Sequence, residues 1–214
     1  MQSARERIGD IIKILRKSYP TTCTALNFET PLQILLATIL SAQCTDERVN
    51  RITPSLFKKY KTAGDFARAR QEELELEIRS TGFFRNKAKS IIGAAKKMCE
   101  DFGGEVPDSM EKLLTLPGVA RKTANIVLSS AFKKAAGIAV DTHVKRLAER
   151  LGLSSQQSPE KIEKDLMVLV PKKDWLHFNY LLVNHGRAIC QARKPKCPEC
   201  PIKHLCPSAK KFLA

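Results

Sequence analysis

The chain has 214 residues, enough for one large or two small compact domains. Hydrophobic residues make up 43% and charged residues 28%, a composition typical of a globular protein and not of a disordered one. The sequence contains 37 Lys and Arg but only 22 Asp and Glu, so its net charge is +15. This excess favours a polyanionic partner such as a nucleic acid. An anionic membrane surface, or no specific partner, would also be compatible with it.

The sequence shows neither a signal peptide nor a membrane-spanning segment, and this bears on the state of its cysteines. Residues 1–10 are polar and lack the apolar core of a signal peptide, and the longest apolar stretch, residues 31–44, is too short to cross a bilayer. We therefore expect a cytoplasmic protein without membrane contact, whose seven cysteines are free thiols or metal ligands. The cysteines expected in the hydrophobic core are Cys23, Cys44 and Cys99.

Helical periodicity dominates the chain. One face of a first helix carries Ile8, Ile11, Ile12 and Leu15. The further helices that apolar periodicity and boundary residues predict cover residues 31–42, 46–60, 71–79, 86–101, 109–114, 121–132, 142–151, 160–169 and 175–190. Pro54 is expected to break or kink the helix in which it lies. Because only residues 137–140 suggest a short extended piece, the sequence predicts an all-α fold.

The turn expected between helices 109–114 and 121–132 has the sequence LPGVARKTA, residues 116–124. Pro117 and Gly118 indicate a tight turn. The amides that open the next helix lack intrahelical partners and carry the positive end of its dipole. A phosphate can bind there without any base being read, as in a helix-hairpin-helix motif. An ordinary connection between two helices is the alternative.

Lys122 lies in the first turn of that next helix, where the dipole disfavours a positive charge. In a poorly solvated cleft its neutral amine would be a nucleophile, although contact with a phosphate is the commoner role of such a lysine. Asp141 is expected to cap the helix 142–151. The helix after Lys122 advances about 18 Å, and the extended segment 136–141 can return a similar distance. The Asp141 carboxylate can then assist the amine.

Four cysteines near the end of the chain have the spacing C-x6-C-x2-C-x5-C: Cys190, Cys197, Cys200 and Cys206. Four thiolates in one loop can wrap a metal centre. Zinc sites more often show two C-x2-C pairs, so an iron–sulfur cluster is slightly favoured over zinc, and such a centre can be purely structural. Three cations between the first two cysteines fit either a phosphate-binding surface or a solvated charge run: Arg193, Lys194 and Lys196.

Taken together, these motifs resemble the endonuclease III family of DNA glycosylases. The resemblance covers nearly the whole chain and rests also on SAQCTD at 41–46, TGFFRNKA at 81–88 and VDTH at 140–143. It implies an all-α fold of two helical domains with a DNA-binding cleft between them. It also implies that the four-cysteine loop holds a [4Fe–4S] cluster.

The domain organisation that the resemblance implies is discontinuous. Residues 22–135 would form a six-helix domain that contains the helix-hairpin-helix motif. Residues 1–21 plus 136–214 would form the iron–sulfur cluster domain.

The resemblance further implies a bifunctional base-excision repair enzyme. Lys122 would attack C1′ of a flipped-out damaged nucleotide in duplex DNA, displace the base, form a Schiff base with the sugar and promote β-elimination at the abasic site. Asp141 would be the assisting carboxylate. The substrates implied are oxidised pyrimidines. The enzyme would act as a monomer, associated with the nucleoid if the chain is bacterial or archaeal.

The same resemblance assigns DNA contacts. Gln43 would fill the gap that the flipped base leaves, and Phe83 would be an apolar wedge against the opposite strand. Gly118 and Ala120 would bind phosphate in the hairpin. The residues expected in the substrate pocket or cleft are Ser41, Asp46 and His143. Two positions depart from the family pattern, because Ala120 replaces a usual glycine and Phe83 a usual aliphatic residue.

Two alternatives use the same motifs. One is a monofunctional relative that removes mismatched adenine or thymine; such relatives generally lack the lysine equivalent to Lys122. The other is a DNA-binding module with a structural zinc and no enzymatic activity, which would need neither Lys122 nor Asp141.

Overall fold

The computed structural model describes residues 3–213, and throughout that range the regular structure is helical, without a strand. The predicted all-α class is confirmed. The chain divides into two compact units, which we call the middle unit and the terminal unit. The middle unit is Thr24–Lys134, and the terminal unit joins the described residues up to Cys23 to those from Ala135 onward. None of the described helices is both long and apolar enough to cross a membrane.

Ten of the twelve α-helices in the described residues lie close to the predicted ranges, whereas the short helices α4 and α12 were not predicted. In chain order they are α1 (Ala4–Ser18), α2 (Pro31–Leu40), α3 (Asp46–Lys59), α4 (Ala63–Ala67), α5 (Gln71–Ile78), α6 (Phe84–Asp101), α7 (Met110–Leu113), α8 (Arg121–Ser130), α9 (Thr142–Arg150), α10 (Pro159–Leu169), α11 (Trp175–Ala188) and α12 (Lys210–Leu213). Short 3₁₀ turns occupy Arg79–Thr81, Lys172–Asp174, Cys197–Glu199 and Lys203–Leu205.

The middle unit is organised around α2. Thr30 caps this helix with its side chain and Pro31 opens it, where the missing N–H of a proline does no harm. Seven of its ten residues are buried, because the helix is apolar on every face and packs against α3, α6 and α8. The end of α2 is thereby fixed in the interior, immediately before the turn that carries Gln43.

The terminal unit has its own core, built by α1, α9, α10 and α11. The predicted apolar face of α1 is buried in it, as expected. Arg7 is also buried, and its guanidinium donates to the carbonyls of Leu151 (3.0 Å) and Leu205 (2.5 Å). These two bonds tie the first helix both to the end of α9 and to the cysteine-rich loop.

Of the two effects predicted for Pro54, a break or a kink, the structure excludes the break, since α3 runs without interruption from Asp46 to Lys59. An interior proline costs about 3 kcal/mol. Burial of Val49, Thr53 and Leu56 along one face of α3 offsets that cost.

The prediction of core cysteines was also wrong. Cys23 and Cys99 are exposed, and Cys44 is only half-buried. Cys99 lies in α6, as its helical pattern indicates, but on the solvent side. The buried face of that helix instead presents residues such as Ile91, Ala95 and Met98.

Candidate functional site

The hairpin between α7 and α8 is anchored by two apolar side chains. Leu116 and Val119 are buried, and the Val119 amide donates to the Leu116 carbonyl (3.1 Å). Gly118 lies between them with φ +77°, a conformation that disfavours any side chain. A Cβ at this position would lie 2.6 Å from Ser90 Cβ in α6. Glycine is therefore required at position 118 for two reasons: the positive φ of the turn and the close approach of α6.

The start of α8 lacks the side-chain cap that most helices of this protein have. Side chains cap α1, α2, α3, α4, α7, α9 and α10, whereas Ala120 at the N-cap of α8 provides none. The φ and ψ of Ala120, −93° and 170°, are extended, so its methyl group carries no backbone strain. Alanine in place of glycine thus leaves the turn intact, and the N-cap side chain makes no hydrogen bond to the first amides of α8.

The two residues expected to carry chemistry lie at helix starts in different units. Lys122 is the second residue of α8, and its side chain is exposed. Asp141 is the N-cap of α9, as predicted, and its Oδ1 accepts a hydrogen bond from the Val144 amide (2.8 Å). No hydrogen bond within the described chain involves Asp141 Oδ2. One carboxylate oxygen thus fixes the side chain while the other stays available.

Gln43 and Phe83 both have a left-handed backbone, a strained conformation for residues other than glycine. Gln43 has φ +52° in the turn closed by the Cys44 amide on the Ser41 carbonyl (3.1 Å). Phe83 has φ +49° and follows Gly82, which has φ +70°. Phe83 is 62% exposed, an unfavourable place for a large apolar ring.

The expected pocket residues have ordinary structural contacts in the described chain. Ser41 donates from Oγ to the Thr38 carbonyl (2.9 Å), and Asp46 is the half-buried first residue of α3. His143 Nδ1 lies 3.1 Å from the Arg146 guanidinium. A Cβ on Gly186 would come within 2.9 Å of that nitrogen, so glycine lets α9 and α11 approach closely.

All four cysteines of the C-terminal loop line one cavity in the terminal unit. Cys190 lies just beyond α11, and its amide donates to the His185 carbonyl (2.8 Å). The buried side chains of Ile202 and Leu205 anchor the loop between the later cysteines. The four cysteines are therefore the residues of this cavity that could bind a metal centre.

Arg150 holds this loop by several hydrogen bonds. Its Nη1 donates to Cys190 Sγ (3.4 Å) and to the Gln191 carbonyl (2.8 Å), and its Nη2 donates to the Ala192 carbonyl (2.8 Å). Its own carbonyl accepts from Cys206 Sγ (3.4 Å). One arginine of α9 thus contacts the first and last cysteines and the start of the basic segment.

His185 contacts a third cysteine. Its Nε2 lies 3.4 Å from Cys200 Sγ, and its Nδ1 lies 3.1 Å from the Tyr19 hydroxyl. Burial lowers the pKa of His185 to about 4, so the ring is neutral at pH 7. A neutral ring with its proton on Nε2 can accept from Tyr19 and donate to the sulfur, the arrangement that orients ligands around metal centres.

Known proteins that resemble this chain share both its helical body and its cysteine loop. Residues 36–172 match the HhH-GPD superfamily of base excision DNA repair proteins, and residues 190–206 match the iron–sulfur binding domain of endonuclease III. Endonuclease III of Synechocystis sp. is 57% identical over 98% of this chain and 95% of its own length, and that of Bacillus subtilis is 45% identical over 96% and 91%. The chain belongs to the endonuclease III family.

Solved structures agree with this assignment. A trapped endonuclease III–DNA covalent intermediate superposes with a TM-score of 0.94 at 41% identity and covers both chains fully. A thermostable thymine-DNA glycosylase gives 0.86 at 27% identity and covers 97% of each chain. The protein is accordingly a bifunctional DNA glycosylase and abasic-site lyase of base excision repair, and its 190–206 segment carries a [4Fe–4S] cluster.

The cysteine loop fits such a cluster electrostatically. Burial, and after it the neighbouring thiolates, raise the pKa of Cys200 to about 11; burial also raises the pKa values of Cys197 and Cys206. Four thiolates can share this half-buried cavity only around a strongly positive centre. A [4Fe–4S] cluster supplies that charge.

The sequence did not identify one buried lysine of the middle unit, Lys87. This lysine of α6 is buried, and its Nζ donates to the carbonyls of Leu40 and Thr81, both at 2.8 Å. Burial lowers the pKa of Lys87 from its ordinary value. The TGFFRNKA motif contains it, but both acceptors are backbone atoms that only the folded chain brings near.

Replacing Gly118 by alanine tests the packing of the hairpin. Gly104→Ala is the matched control, because Gly104 has φ +84° and a Cβ added to it would have no atom within 4 Å. Both substitutions incur left-handed strain of about 1–2 kcal/mol, and only Gly118→Ala adds the overlap with Ser90, about 1–3 kcal/mol more. The measurement is the free energy of unfolding in urea. Ser90→Gly should recover part of the Gly118→Ala loss, and equal losses for the two glycines would contradict the packing role.

Replacing Cys206 by serine tests the cluster site. We expect loss of bound iron and of visible absorbance, together with rapid proteolysis within residues 190–206, because the loop then lacks its central anchor. Iron content and limited proteolysis are the measurements. Cys99→Ser, which removes an exposed thiol of α6, should retain full iron. Unchanged iron in the Cys206 variant would exclude this ligand set.

Proposed function

We propose that this enzyme removes oxidised pyrimidines from duplex DNA and then cleaves the abasic strand through Lys122. The observation that carries the proposal is the position of Lys122, exposed on the second residue of α8, directly after the uncapped phosphate-binding turn. A phosphate bound at the α8 amides would bring the adjoining sugar within reach of the amine. The relative solved as a trapped covalent intermediate with DNA supports an attack of this kind.

The reaction balances with two residues of this chain. Lys122 Nζ attacks C1′ as the base leaves with the electron pair of the glycosidic bond, and the amine gives up a proton. Ring opening then produces an imine between Nζ and C1′. Loss of a proton from C2′ expels the 3′ phosphate with the C3′–O electron pair, which breaks the strand. Hydrolysis of the imine frees the lysine.

We assign proton transfer and charge stabilisation to Asp141. Its Oδ1 is held by the Val144 amide, so the carboxylate keeps one orientation at the start of α9. Oδ2 has no hydrogen bond in the described chain, so it can take the amine proton or stabilise positive charge on the sugar. The N-cap role predicted for Asp141 and this chemical role are thus compatible.

Gln43 and Phe83 would open the duplex. The flipped base leaves a gap, and an exposed amide on a fixed turn can fill it while pairing with the orphaned base. An exposed ring at an αL position is suited to unstack the opposite strand. The positive φ values of both residues support this role, since such strain persists only where the surrounding structure holds it.

The remaining assignments follow the same scheme. Cys190, Cys197, Cys200 and Cys206 would bind the cluster, and the exposed Arg193, Lys194 and Lys196 would contact phosphates. We further propose that the middle unit is the helix-hairpin-helix domain and the terminal unit the iron–sulfur domain. Ser41, Asp46 and His143 would line the path of the flipped nucleotide. A monomer acting in the cytoplasm, at the nucleoid of a prokaryotic cell, fits these roles.

Borohydride trapping tests the nucleophile. The wild-type enzyme should form a covalent adduct with duplex DNA that contains an oxidised pyrimidine, because borohydride reduces the imine. Lys122→Gln should give no adduct while it still binds abasic DNA, and Asp141→Asn should lower the single-turnover rate on the order of 100-fold. Lys133→Gln, which alters an exposed lysine just beyond the other end of α8, is the control. An adduct with Lys122→Gln would assign the chemistry to another amine.

Salt dependence tests the basic loop. Replacing Arg193, Lys194 and Lys196 together by alanine should weaken binding to abasic duplex and reduce the slope of log K against log salt by up to about 2.7, roughly 0.9 for each phosphate that is no longer neutralised. The measurement is anisotropy titration at several salt concentrations. The control removes the same charge elsewhere in the terminal unit, at the exposed Lys164, Lys172 and Lys173. Equal slopes for the two triple variants would mean that Arg193, Lys194 and Lys196 are a solvated run of charges that contacts no phosphate.

A further inference from the structure

Lys87 is a buried cation with no role in the chemistry proposed above. Its side chain is 4% exposed, so its amine cannot reach a sugar. Its Nζ instead donates to two main-chain carbonyls from different parts of the middle unit, Leu40 and Thr81. Charge-assisted hydrogen bonds of this kind are stronger than neutral ones, and more so where water is excluded.

The first acceptor, Leu40, is the last residue of α2. The last carbonyls of a helix lack intrahelical partners and carry the negative end of its dipole. The last turn of α2 contains no basic residue. The Lys87 ammonium, which comes from α6, provides the missing positive charge. It therefore fixes the chain at Leu40, directly before the Ser41–Cys44 turn and three residues before the strained Gln43.

The second acceptor, Thr81, ends the 3₁₀ turn before Gly82 and Phe83. Lys87 is tied to this segment twice, because its own amide also donates to the Phe83 carbonyl (3.1 Å). Gly82 and Phe83 both have positive φ. Lys87 thus holds the base of the Phe83 turn, at Thr81, through its side chain. It holds Phe83 itself through its main-chain amide.

We infer that Lys87 is a positioning residue that fixes the Gln43 turn and the Phe83 turn relative to each other, so that the two side chains enter a DNA duplex together. This inference rests on the duplex-opening role proposed for those residues. Without the ammonium, two buried carbonyls lose their partner and each turn can relax separately. Base flipping, and not attack on the sugar, is then the step that suffers.

The test compares Lys87→Met on two substrates that differ only in the need to open a duplex. One is an abasic site within paired DNA, and the other is the same strand unpaired. We expect kcat/KM for strand cleavage to fall roughly tenfold or more on the duplex but less than about twofold on the single strand, where unstacking is least demanding. Lys96→Met is the matched control, an exposed lysine of the same helix that should affect neither.

A second readout reports duplex opening without chemistry. The fluorescence of 2-aminopurine opposite the abasic site should rise when wild-type enzyme binds and unstacks it, and this rise should be lost with Lys87→Met at saturating protein. Phe83→Ala should lose the same signal. If Lys87 acts through the wedge, Lys87→Met should cost little more in the Phe83→Ala background.

The outcomes separate this inference from the proposed function. Trapping of wild type on both substrates with a selective duplex loss for Lys87→Met supports both. If wild type is trapped but Lys87→Met loses the same share of kcat/KM on both substrates, or loses none, the positioning role is overturned. The proposed function then stands. Failure to trap wild type overturns the proposed function. If thermal unfolding shows that Lys87→Met does not fold, Lys87→Gln, which keeps an amide donor, is judged by the same duplex-to-single-strand ratio.

Discussion

The structure depends on how helix ends are satisfied. Most helices close their first turn with a serine, threonine or aspartate side chain, but the N-cap residues of α6 and α8, Phe83 and Ala120, provide no side-chain cap. The first amides of these two helices therefore make no hydrogen bond to an N-cap side chain. Gly118 packed against Ser90, and Lys87 bound to the end of α2, hold these two helix starts in place. Both contacts are made inside the middle unit.

In the terminal unit, charged side chains hold both ends of α9. Asp141 caps α9 with one oxygen, and Arg150 at the other end of α9 binds the cysteine loop. Arg7 joins the carbonyls of Leu151 and Leu205, so α1 holds both the end of α9 and that loop. A short helix of nine residues thus carries a proposed catalytic carboxylate at its start and supports the cluster loop at its end.

The sequence was sufficient where local pattern decides structure. Apolar periodicity located every long helix, and the Pro117–Gly118 turn and cysteine spacing located the hairpin and the metal loop. It was insufficient where packing decides. Pro54 stays in an unbroken helix because one face of α3 is buried, and Cys99 is exposed although its helix was predicted. The positive φ of Gln43 and Phe83 could not be inferred from residue types that normally avoid it.

Two lysines show why burial alone does not identify a nucleophile. Lys87 has the environment expected of an activated amine, since burial lowers its pKa. Its Nζ is nevertheless bound to two carbonyls and is inaccessible to a sugar. Lys122, the proposed nucleophile, is exposed in the free protein, so in the proposed reaction the DNA would have to displace the water around its amine. If the proposed phosphate contact at α8 forms, the bound DNA would also exclude water from Lys122, so that the substrate itself would complete the environment of the nucleophile.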